Sequence, residues 1–142
     1  MAAVPDGFTP HFRKSAVTDP WEPLYSRRSG DRVDIGLVLA APHCNSRGFV
    51  HGAVIAALAD NAMGLSLHAT RLRELGAGEA KVDIVTVTLA IDFLATGKLG
   101  DWLQITPRVL KSGGATGFVD ALVTASDQLV ARASAVFRAT NR

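Results

Sequence analysis

Gly52-Ala-Val-Ile-Ala-Ala-Leu-Ala-Asp-Asn-Ala-Met-Gly-Leu-Ser-Leu-His-Ala69 is the stretch whose reading decides the fold. Apolar residues fill almost its whole circumference, which predicts one long helix over about residues 52–73, covered on nearly every side. Arg71 and Arg73 stand near its negative end, and Gly76 and Gly78 lie beyond it as stop signals. The rest of the chain must supply the apolar surface that covers it.

Working outward, that surface reads as strands. From Leu24 to Leu39 two strands flank the turn Ser29-Gly30-Asp31, and Val33, Ile35, Leu37 and Leu39 alternate with Asp34, Gly36 and Val38. Pro42 ends the second strand, and residues 41–50 form a loop. After the helix, the Gly/Ala-rich segment 74–80 reads as a mobile loop. Lys81 to Phe93 reads as a long strand with Val85, Val87, Leu89, Ile91 and Phe93 on one face and Thr86, Thr88, Ala90 and Asp92 on the other. Strands over 102–111 and 115–126 flank Ser112-Gly113-Gly114, and a last strand covers 129–139. Short links make neighbours antiparallel. The predicted architecture is α+β, a curved antiparallel sheet wrapped around one central helix. Residues 1–20, with Pro5, Pro10 and Pro20, form an N-terminal arm to a domain over 21–142.

At 142 residues, 48% hydrophobic and 20% charged, the chain suits one folded domain. A net charge of +2, with no basic block interleaved with aromatics, argues against a nucleic-acid partner. A single cysteine, Cys44, excludes an intrachain disulfide and favours a reducing compartment. The first residues lack the basic flank and apolar core of a signal peptide. Asp60, Asn61, Ser66 and His68 interrupt the longest apolar stretch, so no membrane span is expected. The expected location is cytoplasmic.

Asp60 is the anomaly in the helix. Burying an unpaired carboxylate costs several kcal/mol. Ala53, Ala57 and Gly64 share its face at spacings of three and four and leave room beside it. The helix starts at His51-Gly52, so free amide donors face the polar loop His43-Cys-Asn-Ser-Arg-Gly48. An acid in an apolar wall near amide donors suits attack on a carbonyl. Each residue also has a plainer reading. The small stripe also serves close packing, Asn45 a turn, and His51 a structural hydrogen bond at the helix start. Cys44 reads as a small hydrophobe and His68 as a satisfied histidine. His43, His51 and Asp60 have no recognisable metal spacing, and no Gly-rich nucleotide loop is present.

The segment from Asn45 through His51-Gly52 to Asp60 resembles the signature of hotdog-fold acyl-CoA thioesterases of the PaaI-like group. That signature is Asn, His-Gly six residues on, and Asp nine residues after the His. Val85–Asp101 resembles the family's strand and following turn, and Val109–Gly113 with Phe118–Ala133 its final hairpin, so the likeness spans about residues 30–138. It implies the hotdog fold and hydrolysis of an acyl- or aryl-acyl-CoA to free acid and CoA. No cofactor is implied, CoA being part of the substrate. It further implies a homodimer that forms the active site, assembled into a homotetramer. One chain would give Asn45, His51 and Gly52, the other Asp60 and Thr86. Gly52 N–H and Asn45 would receive the oxyanion, and Asp60 would act as base or nucleophile. Thr86 would orient the water, and His51 would hold the loop or touch the substrate. Lys111, Gly113, Gly114 and Arg138 are the candidates for the CoA phosphates. Ala53 replaces a usual second glycine, Thr86 a frequent serine, and no basic residue follows Gly113-Gly114. The loop 72–80 is longer than in many relatives. Other readings on this fold are a non-catalytic acyl-CoA-binding module and a hydratase or dehydratase. The sequence offers no matching Asp/His or His/Glu pair for the latter.

Overall fold

The structure is a computed structural model that describes residues 1–76 and 81–141, so most of the loop expected over 74–80 lies outside the described residues. Seven antiparallel strands form one curved sheet: β1 (Thr9–Pro10), β2 (Tyr25–Ser29), β3 (Arg32–Val38), β4 (Val82–Phe93), β5 (Trp102–Lys111), β6 (Thr116–Ala125) and β7 (Gln128–Asn141). They lie in the order β1-β2-β3-β5-β6-β7-β4. The helix α1 (Gly52–Leu75) joins β3 to β4. Because three strands separate those two in the sheet, α1 must run across the inner face to reach the far edge.

The ends of α1 follow the sequence. His51 caps it, accepting the Ala53 N–H at Nδ1 (3.0 Å). Gly76 takes φ 65° and its N–H reaches the Leu72 and Arg73 carbonyls, so the helix stops there. Leu58, Ala62, Met63 and Leu67 pack on Ile35, Leu37, Leu103, Ile105, Val123 and Phe137. Each such large side chain contributes about 1.5–3 kcal/mol when fully buried. Ser66 pins the helix to β3, donating to Ala62 O (2.8 Å) and accepting from Val33 N (3.0 Å).

Two strands differ from the simple alternation. On β3 both faces are covered, Val33 through Leu37 all being buried. The Trp102 indole fills the space over Gly36, where an added Cβ would stand 2.1 Å from the ring. Asp34 sinks beside it, held by Arg27 (3.2 Å) and Arg32 (2.8 Å). The second difference lies on β4 and shapes the site, as described below.

Part of the N-terminal arm lies against the sheet. β1 pairs with β2, and Phe8 is buried edge-on to Trp102 beneath the Arg27 guanidinium. His11 is buried as well.

Candidate active site

Only one side of α1 faces the sheet. Val54, Ile55, Leu58, Ala59, Ala62, Met63, Ser66, Leu67, Thr70 and Arg71 are buried, whereas Ala53 is exposed and Ala57, Asp60 and Gly64 are half-buried. This corrects the expectation of a helix covered on nearly every side and of a deeply buried Asp60. Alanine and glycine count as apolar in a periodicity yet gain little from burial, so a stripe of them does not demand cover.

Thr86 reaches Asp60 because β4 is bulged. Thr86 stands opposite Phe137 and Thr88 opposite Val136, leaving Val87 as an extra residue. Phe137 points inward, so Val82, Ile84 and Thr86 face the helix before the bulge. After it Leu89, Ile91 and Phe93 face inward, opposite Ala135, Ala133 and Ala131. The expected single face from Val85 to Phe93 is therefore wrong: Val85 lies on the outer side. A strictly alternating strand would have turned Thr86 away from the acid.

The Thr86 hydroxyl donates to Asp60 Oδ1 at 2.6 Å. Its proton thus orients the carboxylate and is not free to orient a water, although its lone pairs are. The pair opens into a cleft of about 570 Å³ whose lining includes Gly64, Ile84, Phe137, Asn61, His68 and Arg13.

At the start of the helix, the Gly52 N–H has no acceptor among the described residues. Asn45 folds the preceding loop: its Oδ1 accepts from Arg47 N (2.9 Å) and Phe49 N (3.2 Å), leaving Nδ2 without an acceptor among the described residues. Its turn role and an amide free to donate are therefore compatible. His43 spends both ring nitrogens, on Ala40 N (2.9 Å) and Trp21 O (2.7 Å). Burial pushes the Cys44 thiol up, away from nucleophilic activation.

Gly52 and Asp60 are eight residues apart on one helix, about 12 Å along its axis. A reacting carbonyl must sit about 3 Å from both donor and nucleophile, which Gly52 N–H and Asp60 of one chain do not allow. The CoA candidates are also remote within the chain. Ser112 donates to Glu74 at 2.9 Å, which fixes the Gly113-Gly114 turn at the C-terminal end of α1. Lys111 and Arg138 are exposed on the outer face, Lys111 opposite the outward Phe118 and Arg138 next to the inward Phe137.

His11, Arg13 and Asn61 escaped the sequence reading. His11 Nε2 lies 2.9 Å from Asn61 Oδ1, and Arg13 lines the Asp60 cleft. The proline-rich arm has no periodicity that would mark an inward side. Burial holds the His11 imidazole below its ordinary value of 6.5; Arg13 and Lys14 also lower it, while the Asn61 hydrogen bond and Glu22 oppose the shift. The unfolded chain therefore binds more protons just below that value, so stability declines as the pH is lowered through it and levels off once the folded ring protonates. The melting temperature is expected to drop as the pH is lowered from neutrality through 6.5, and His11→Gln to flatten that slope. An unchanged slope in the variant would assign the effect elsewhere.

Residues 47–132 match the thioesterase superfamily model. Human acyl-coenzyme A thioesterase 13 is 35% identical over 121 residues, covering 74% of this chain and 81% of that protein. The provisionally named esterase PA0474 of Pseudomonas aeruginosa is 36% identical over 138 residues, covering 96% and 98% respectively. The Streptococcus mutans protein smu.793, solved bound to acetyl CoA, superimposes with a TM-score of 0.75 at 28% identity, covering 93% of this chain and 96% of that one. One long helix on a curved antiparallel sheet is the hotdog fold, and the family makes the chain a thioester hydrolase. The chain belongs to the thioesterase superfamily.

Proposed function

We propose that the protein hydrolyses acyl-CoA thioesters at sites built by two protomers. The observation that carries this reading is the Asp60–Thr86 pair in its cleft, with the Gly52 N–H, unpaired among the described residues, about 12 Å away on the same helix. Two half-sites on one chain become whole sites when a second copy supplies the missing half. β4 is the natural seam: it is an edge strand of twelve residues, with exposed Val85, Val87, Leu89 and Phe93. Pairing of two β4 strands makes an isologous dimer with a continuous sheet.

In such a site Gly52 N–H, at the positive end of α1, and the Asn45 amide polarise the thioester carbonyl. His51 holds the helix start through its cap. Asp60 of the other protomer has Oδ1 tied to Thr86, and Oδ2 takes a proton from water. The water oxygen bonds to the carbonyl carbon, and collapse of the tetrahedral intermediate breaks the C–S bond. Asp60 returns the proton to the CoA sulfur. Lys111, Gly113, Gly114 and Arg138 are proposed for the CoA phosphates, reached from a neighbouring protomer. The proposed assembly is a dimer of such dimers, and the proposed location cytoplasmic. Among the described residues, no helix is long and apolar enough to cross a membrane.

Thiol release from a panel of acyl- and aryl-acyl-CoA esters tests the proposal. Multiple turnovers with at least one ester are expected. Equilibrium binding of the esters without thiol release over hours would instead identify a non-catalytic binding module.

A further inference from the structure

His11 and Asn61 make a polar contact beside the Asp60 cleft that the chemistry above does not use. His11 is only 1% exposed, and its Nε2 lies 2.9 Å from Asn61 Oδ1. A carboxamide oxygen can only accept, so Nε2 must carry the proton. In the neutral ring Nδ1 is then bare, and it is buried without a partner among the described residues. Such nitrogens are uncommon in folded proteins because each one destabilises the fold. An apolar side chain would fill the same space without that cost.

The contact also decides which way the Asn61 amide points. With Oδ1 held by the arm, Nδ2 is the end left over, and it has no acceptor among the described residues. Asn61 follows Asp60 on α1 and lines the same cleft. A fixed donor next to the acid is therefore turned to the cleft and open to an oxygen bound there.

We propose that the Asn61 Nδ2–H donates to an oxygen bound in the cleft beside Asp60, and that His11, from the N-terminal arm, is the residue that positions it. The inference rests on the reading of Asp60 as the base. The oxygen belongs to the acyl-CoA or to the attacking water, and kinetics separate the two. An acyl-CoA contact appears in KM, a contact to the water in kcat.

The test compares Asn61→Ala, His11→Phe, the double variant and His11→Gln with one acyl-CoA, with a melting curve for each. Asn61→Ala and His11→Phe are each expected to lower kcat/KM about tenfold, the weight of one hydrogen bond. The double variant should be no worse than Asn61→Ala, since both remove the same contact. Glutamine keeps a side-chain N–H at a similar reach, so His11→Gln should restore most of the rate. Wild-type kinetics for Asn61→Ala would overturn the inference, as would losses that multiply in the double variant. Asn61→Ala and His11→Gln decide the matter even if His11→Phe does not fold. Turnover that survives Asp60→Asn would instead overturn the reading of the base. A dead Asp60→Asn beside an unaffected Asn61→Ala would overturn this inference alone.

Discussion

Asp60→Asn is expected to lower kcat by a factor of about a hundred to ten thousand, the range over which a positioned base acts. The variant isolates chemistry from folding. The amide can keep its oxygen toward Thr86, so the 2.6 Å contact survives as a neutral hydrogen bond. Asp60 is half-buried and makes no ion pair among the described residues. Stability should therefore change by less than about 1 kcal/mol. KM should stay within a small factor, because the lost function is proton transfer and not the binding of CoA. Thiol release measured beside a thermal melt checks both statements. Turnover near wild type with an unchanged melt would remove Asp60 from the chemistry.

The architecture was legible because hydrophobic period and turn residues agree. A helical period over 52–73, strand periods elsewhere and Gly or Ser at the turns leave few arrangements, and the observed elements follow them. What failed did so for local physical reasons. The bulge at Val87 changes which side chains of β4 face the helix, and no turn residue or glycine in Val85–Leu89 announces it. The covered outer face of β3 depends on Trp102 and on the arm, both distant in sequence. The open side of α1 was hidden by alanine and glycine, which fit burial and exposure alike. For the candidate site, the motif nominated Asn45, His51, Gly52 and Asp60. It could not give Asn61, whose orientation comes from His11 fifty residues away.

Gly52→Pro is expected to lower kcat by about a hundredfold to a thousandfold, the effect of deleting one oxyanion donor, while leaving the helix in place. Proline is well accommodated at the first helical position, where the N–H has no intrahelical partner. The Gly52 N–H bonds nothing among the described residues, so no native hydrogen bond is lost. His51, at φ −73° and ψ 134°, already has the extended backbone that a residue before proline adopts. An added Cβ meets the tip of the Phe93 ring at 2.9 Å, the far end of a flexible side chain that can give way. Paired with Asp60→Asn, this variant also tests whether the site spans two chains. In a hybrid dimer, Gly52 of the Asp60→Asn protomer faces the intact Asp60 of its Gly52→Pro partner, and the second site carries both defects. Dissociating and reassociating the two inactive proteins at equal concentration makes half the dimers hybrids, so about a quarter of wild-type activity should return. If donor and acid served one site within a single chain, every site in the mixture would keep one defect and no activity would return.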